Sequence, residues 1–252
     1  MPADVLIGCA GWSLPRSEQA EFPAAGSHLE RYASRFDAVE INSSFHRPHR
    51  PSTYERWSAS VPSSFRFSVK VPKAITHSLR LQQAGELLES FLTEAASLGD
   101  KLGCLLVQLP PSLSFEPAVA ADFFADLQSR SSLPVACEPR HPSWFAPQVD
   151  SFLGEIEVAR VAADPACVPE AEAPGGWHGM SYYRLHGSPR IYYSAYSEEY
   201  VAALASRIQV DAGEGRPVWC IFDNTTLGAA TRNALELRAL YAIHSAASSA
   251  FA

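Results

Sequence analysis

The segment Asp37–Phe45, DAVEINSSF, decides the fold because two kinds of side chain alternate along it. Val39 and Ile41 are typical of a buried strand. Glu40 and Asn42 fall on the opposite side, since successive strand positions point to opposite faces of a sheet. A strand with one solvated face is the simplest explanation. The rest of the chain favours another, in which the polar side lines the interior of a barrel.

Short apolar segments recur along the chain, with amphipathic stretches of helical periodicity between them. The predicted strands are Val5–Gly11, Asp37–Asn42, Phe65–Val71, Gly103–Leu109, Pro134–Arg140, Val158–Asp164, Ser181–Gly187 and Val218–Asp223. Eight strand–helix units in 252 residues predict an α/β fold, a single (β/α)8 TIM barrel over residues 1–252. Pro165–His178 is rich in Pro, Gly, Ala and Glu, which predicts a long loop in place of a regular sixth helix.

Polar residues occupy the interior side of several predicted strands, near the C-terminal ends of those strands. These residues are Glu40, Lys70, Glu138, Arg140, Asp164, Arg184 and His186. Burying an unpaired charge costs several kcal/mol, so the groups should pair with each other near the C-terminal mouth. Barrel enzymes assemble their sites at that mouth. A structural salt-bridge network at the rim is the alternative interpretation.

The composition is that of an ordinary globular protein, with a formal net charge of −7. This charge disfavours broad nucleic-acid binding, which usually shows a basic excess. The five cysteines form no C-x-x-C pair and are expected to be reduced in a cytoplasmic protein. Neither a signal peptide nor a membrane span is expected, because no apolar run approaches the ~20 residues that a bilayer requires.

Motifs in chain order resemble those of the YecE-like family, a bacterial and archaeal domain of unknown function. The motifs are Gly8–Trp12 (GCAGW), Val39–Phe45 (VEINSSF), Phe67–Lys70 (FSVK), Thr76-His77, Lys101–Gly103 (KLG), Gln108–Pro111 (QLPP), Glu138–Trp144 (EPRHPSW) and Arg184–Gly187 (RLHG). The resemblance implies a TIM barrel and leaves the reaction open. Asp223 precedes Asn224 where the family frequently has two asparagines, so which of the two faces the site is undecided.

We expect a small anionic ligand, a phosphorylated or sugar-like metabolite, and acid–base chemistry of a hydrolase, isomerase or lyase. Glu40, Glu138 and His186 are the predicted catalytic residues, because carboxylates and imidazoles transfer protons. The predicted ligand-binding residues are Asn42, Lys70, Gln108, Arg140, Arg184 and Asn224. Loops after the last two strands of such barrels often bind phosphate.

Several alternatives stay open at this point. One is a nucleic-acid-binding protein or nuclease, and another is a non-catalytic protein that binds a ligand or partner. No cofactor is predicted, although the interior carboxylates leave a divalent metal open; no compact motif such as H-E-x-x-H is present. Lys70 is also a candidate Schiff-base lysine, which its acidic neighbours disfavour. The oligomeric state is not predicted.

Overall fold

The chain forms a parallel barrel surrounded by helices. The structure, a computed structural model, describes residues 3–249, so residues 1, 2 and 250–252 of the predicted domain lie outside the described residues. The strands are β1 Val5–Ala10, β2 Ala38–Ile41, β3 Arg66–Lys70, β4 Leu102–Gln108, β5 Val135–Glu138, β6 Val158–Arg160, β7 Ala162–Asp164, β8 Gly175–Gly176, β9 Ser181–Leu185 and β10 Val218–Phe222. The helices are α1 His28–Ala33, α2 Ser43–His46, α3 Pro51–Ala59, α4 Gly85–Ala95, α5 Pro117–Arg130, α6 Pro147–Glu155, α7 Glu198–Gly213 and α8 Ala229–Ser249.

The sixth barrel strand closes the sheet by changing its partner. We predicted one strand over Val158–Asp164, whereas the structure divides it into β6 and β7 at Val161. β6 pairs in parallel with β5, and β7 pairs in parallel with β9. The remaining neighbours follow in the order β9, β10, β1, β2, β3, β4 and β5. The divided strand therefore joins the two ends of the sheet.

The segment between the sixth and seventh barrel strands has no α-helix among the described residues, as predicted. It contains a 3-10 turn, Pro169–Glu172, and the short strand β8, which pairs antiparallel with β6. Arg160 fixes this segment by donating to the carbonyls of Glu170 at 2.8 Å and Ala173 at 3.4 Å. Its guanidinium also pairs with Asp150 on α6 at 2.8 Å.

Alternation along the strands separates the interior of the barrel from the layer beneath the helices. In β2, Val39 and Ile41 belong to the large apolar core that the helices cover. A second apolar cluster fills the N-terminal half of the barrel interior, with Met180 and Trp219 among its larger members. Position 8 requires glycine, because a Cβ there would lie 2.0 Å from the carbonyl oxygen of Ala38 on β2. Within residues 3–249, no helix is both long and apolar enough to cross a membrane.

Candidate functional site

Arg184 is the centre of an ionic cluster at the C-terminal half of the barrel interior. It lies on β9 and is fully buried. Its Nε and Nη2 atoms donate to both carboxylate oxygens of Glu40 on β2, at 2.9 and 2.6 Å. Nη1 donates to Glu138 Oε2 at 2.5 Å, and Nη2 also donates to Asp223 Oδ2 at 3.0 Å. Because three carboxylates enclose the guanidinium, we assign Arg184 a positioning role in place of the predicted contact with a ligand.

His186 lies one step closer to the mouth than Arg184, between two of the same carboxylates. Its Nδ1 lies 3.0 Å from Asp223 Oδ2, and its Nε2 lies 3.0 Å from Glu138 Oε1. Arg140 approaches from the rim, where its Nε donates to Glu138 Oε1 at 2.9 Å. The ionic cluster, as the term is used below, consists of Glu40, Glu138, Asp223, Arg140, Arg184 and His186.

The surroundings of His186 favour its charged form. Burial alone would lower the pKa of His186, but the Glu138 carboxylate and hydrogen bonds to Asp223 and Glu138 raise it above its ordinary value. Burial would likewise raise the pKa of Glu138, yet Arg184, Arg140 and His186 hold it well below the usual range. Burial would also raise the pKa of Asp223, but Arg184 and His186 lower it below its ordinary value. Both carboxylates that flank the imidazole are therefore ionised, and both of its nitrogens can donate to them.

The charges at the mouth sum to a small positive excess when His186 is protonated. The carboxylates of Glu40, Glu138 and Asp223 balance the cations of Arg140, Arg184 and Lys70, and the imidazolium adds one further positive charge. Arg140 is the most accessible member of the ionic cluster, with 25% of its side chain exposed against 1% for Glu138. An anion approaching from solvent would therefore meet Arg140 first.

Two further side chains extend the ionic cluster toward the apolar half of the barrel. Tyr182 OH lies 2.9 Å from Glu40 Oε2 and 2.9 Å from Ser68 Oγ. We did not predict either as a site residue. Their positions on the polar sides of β9 and β3 were visible in the alternation, but neither residue type carries a charge.

Asp223 faces the ionic cluster and Asn224 does not. Asn224 Nδ2 donates to the Ser194 carbonyl at 2.9 Å and to Asn233 Oδ1 on α8 at 3.1 Å. The amide nitrogen therefore joins the loop after β9 to the last helix, away from the ionic cluster, and the ligand contact of Asn224 stays a prediction. The loop approaches closely here, because a Cβ on Gly187 would lie 2.7 Å from the Ser194 carbonyl oxygen.

Asp164 also lies away from the ionic cluster, contrary to our expectation. Its Oδ1 accepts a hydrogen bond from Tyr196 OH at 2.8 Å. The backbone N–H of Gly187 donates to the same hydroxyl at 2.8 Å. This arrangement anchors the loop after β9 on the outer side of the barrel, so Asp164 has a structural role.

The predicted residues Asn42, Lys70 and Gln108 border the ionic cluster with unfilled hydrogen-bonding capacity. Asn42 Nδ2 lies 3.5 Å from Asp223 Oδ1, and its buried Oδ1 has no partner in the described chain. Gln108 is 6% exposed and lies beside Glu138 in the register of β4 and β5. The Lys70 ammonium lies 4.2 Å from the centre of the Phe45 ring. These groups can contact a ligand that the ionic cluster attracts.

The carboxylates fit a guanidinium better than a metal ion. Glu40, Glu138 and Asp223 all accept hydrogen bonds from Arg184, so a cation would have to compete with it. Among residues 3–249, no group of three or more His, Cys, Asp or Glu side chains is arranged to hold a metal. We derive no chemistry through a metal.

Comparison with known proteins settles the family. Residues 6–250 match the family model described as protein of unknown function DUF72. The chain belongs to the DUF72 family. It is 31% identical over 146 residues to the UPF0759 protein YecE of Escherichia coli, a match that covers 56% of this chain and 50% of YecE. It is 27% identical over 180 residues to the UPF0759 protein YunF of Bacillus subtilis, covering 68% of this chain and 64% of YunF.

Solved structures of DUF72 proteins share the fold. A DUF72 family protein from Enterococcus faecalis superposes with a TM-score of 0.79 at 23% identity, covering 94% of this chain and 95% of that one. A second, from Thermotoga maritima, gives a TM-score of 0.77 at 23% identity, covering 94% and 98%. The predicted YecE-like family and the TIM-barrel fold are thus confirmed. At this identity the likeness extends to the fold alone.

Proposed function

We propose that the C-terminal mouth binds a small anionic metabolite, phosphorylated or sugar-like, and that His186 transfers a proton to or from it. The observation that carries the proposal is the position of His186 between Glu138 and Asp223, next to Arg140, the most exposed cation of the ionic cluster. A charged imidazole held by two carboxylates can release and regain a proton near neutral pH. Hydrolysis, isomerisation and lyase cleavage all need such a transfer.

Arg140 and Lys70 are the cations that we assign to the anion. The Nε of Arg140 donates a hydrogen bond to Glu138, and its Nη2 lies 3.4 Å from His186 Nε2. The planar guanidinium suits a phosphate or carboxylate, which it can bind through two parallel hydrogen bonds. Asn42 and Gln108 flank this position and would orient the ligand.

The carboxylates have different roles in this proposal. Glu138 contacts Arg140, Arg184 and His186 at once, so a proton leaving His186 has a carboxylate neighbour that favours its return. Glu40 is fully buried and engages Arg184 with both oxygens. We therefore retain Glu138 and His186 as catalytic candidates and assign Glu40 to positioning Arg184.

Calorimetric titration with inorganic phosphate tests the anion site. We expect one saturable site in the wild type and affinity reduced about tenfold or more in Arg140→Gln, since losing one charged contact is worth about 1.4 kcal/mol or more. The matched control is Arg130→Gln, because Arg130 lies at the C-terminal end of α5, where it pairs with Glu89 and Asp126. Equal affinity in both variants, or no binding by the wild type, would refute the proposal. Salt-sensitive binding of oligonucleotides without phosphate binding would favour the nucleic-acid alternative.

A further inference from the structure

The chain contains only three lysines, and each lies in a different environment. Lys101 donates to the carbonyls of Ser58 at 2.5 Å and Val61 at 2.7 Å, which is a structural role. Lys73 is exposed on the loop after β3. Lys70 stands at the C-terminal end of β3, inside the mouth, with 7% of its surface exposed. The buried lysine is therefore the one that faces the candidate site.

The Lys70 ammonium lacks the partners that a structural lysine would have. In the part of the chain that the structure describes, its nitrogen makes no hydrogen bond and no ion pair, and its close contact is the Phe45 ring at 4.2 Å. The three nearby carboxylates bond to Arg184 instead. Burying an ammonium without hydrogen bonds is costly, so this environment raises the fraction of neutral amine above that of an exposed lysine.

The charged groups around Lys70 act in opposite directions. Burial, the largest effect, and the Arg184 charge lower the pKa of Lys70 to about 8, although the carboxylates of Glu40, Glu138 and Asp223 oppose the shift. The other titratable neighbour is His77, whose own pKa is lowered by burial and then by the charge of Lys70. We expected the acidic neighbours to prevail, but Arg184 already engages them.

We infer that Lys70 is a nucleophile that forms a Schiff base with the carbonyl carbon of a small anionic aldehyde or ketone. This rests on the proposed function, since the same mouth would hold the anionic group at Arg140. It goes further by naming the substrate class and the covalent step. A desolvated lysine next to another cationic group is a recognised way to obtain a neutral, nucleophilic amine.

The step balances without an oxidant or reductant. The neutral amine attacks the carbonyl carbon, the C–N bond forms, and the C=O π electrons move to the oxygen. The nitrogen then loses one proton and the oxygen gains one, which gives a carbinolamine. Protonation of that hydroxyl by His186 lets the C–O bond break and water leave, while the nitrogen lone pair forms the C=N bond. The imidazolium next to Glu138 and Asp223 is the acid that this departure needs.

Reductive trapping on the folded wild-type protein tests the inference. Limiting glyoxylate, an anionic aldehyde, is added with cyanoborohydride, and peptide mass spectrometry follows labelling at Lys70, Lys73 and Lys101. At a pH of about 8 we expect Lys70 to be labelled at least about tenfold faster than Lys73, since an ordinary lysine has a pKa of about 10.4 and is almost fully protonated there. If accessibility alone set the labelling rates, the exposed Lys73 would be labelled faster than Lys70.

The pH dependence and two controls complete the test. The Lys70 labelling rate should rise with a midpoint at a pH of about 8, whereas the Lys73 rate should keep rising above it. Lys70→Arg should lose labelling at position 70 and keep the Lys73 rate, which shows that the loss is confined to position 70. Lys73→Arg is the reciprocal control and should leave the Lys70 rate as in the wild type.

The outcomes separate this inference from the proposed function. If phosphate binds in calorimetry but Lys70 is labelled no faster than Lys73, the Schiff-base inference is wrong and the anion site stands. If Lys70 is labelled preferentially and phosphate neither binds nor slows the labelling, the nucleophile stands and the anion site fails. Preferential labelling that phosphate slows at Lys70, with no effect at Lys73, supports both.

Discussion

The two halves of the barrel interior are built from the same strands but from opposite kinds of side chain. Near the N-terminal ends, Met180 and Trp219 pack in an apolar cluster. Near the C-terminal ends, the residues of the ionic cluster fill the interior. Tyr182 joins the two halves, because its ring stacks on Trp219 with centroids 6.0 Å apart while its hydroxyl contacts Glu40.

The comparison shows that the position of a side chain along the barrel axis decides whether it needs a charged partner. An apolar interior layer needs only complementary shape. The ionic layer is equally sheltered, so each charge needs a partner, and Arg184 provides one for three carboxylates. Lys70 and Arg140, at the mouth, are the cations whose hydrogen bonding is incomplete. A ligand is therefore expected there and not deeper.

The largest effect should follow from breaking the ionic layer at its centre. Arg184→Met leaves Glu40, Glu138 and Asp223 without their shared counterion, and removing one partner of a buried ion pair costs about 3–5 kcal/mol. Urea unfolding measures the loss. Arg130→Met is the control, because Arg130 is 31% exposed where it pairs with Glu89 and Asp126, and its loss should cost no more than about 1 kcal/mol. Similar costs for both variants would show that the buried cluster is not held by Arg184.

An apolar substitution should break the other layer without involving charge. Met180→Ala removes a buried side chain from the apolar cluster, and such a cavity costs about 3 kcal/mol. The cost should be the same from about pH 6 to about pH 9, because no titrating group is removed. A cost that changes strongly with pH would contradict the separation of the two layers.

His186→Gln should show the pH dependence that Met180→Ala lacks. Since the folded-state pKa of His186 is raised, its stabilisation is fully present below the unfolded pKa of about 6.5 and is lost as the pH rises through the folded value. We expect a cost of about 2 kcal/mol near pH 6, from two charged hydrogen bonds. Urea unfolding near pH 9 should then give a smaller cost, and an equal or larger cost there would refute the assignment.

The smallest changes in stability should come from two adjacent tyrosines that lie on opposite faces of β9. Tyr182→Phe removes a hydroxyl that contacts Glu40 and Ser68 inside the barrel, and the cost should be about 1–2 kcal/mol. Tyr183→Phe removes a hydroxyl that donates to Asp211 on α7 at 2.8 Å. Both should destabilise, but only Tyr182→Phe should alter phosphate affinity. Equal effects on affinity would mean that the interior face has no special connection to the site.

Alternation predicted the interior positions of Glu40, Glu138 and Arg184 well, because each lies within a regular strand. It could not place Asp223 and Asn224, which follow the end of β10 where the backbone is no longer a regular strand. The division of the sixth strand was also beyond prediction, since both halves are short and similar in pattern and only their pairing partners differ.

The chemistry of the site depended on which acceptor each cation uses, and the sequence does not contain that information. Lys70 and Arg184 looked like equivalent anion-binding cations. The three nearby carboxylates all pair with Arg184. The Lys70 ammonium is therefore without a hydrogen-bond partner in the described residues. That difference in pairing changes Lys70 from an expected ion-pairing group to a candidate nucleophile.

The most direct test of the account is an NMR titration of the His186 side chain against pH, with and without inorganic phosphate. We predict that the pKa of His186 is higher than that of an exposed histidine, about 6.5, and that phosphate raises it further. The second shift should disappear in Arg140→Gln. If His186 titrates at the ordinary value and phosphate leaves it there, the charged, ligand-accessible mouth does not exist.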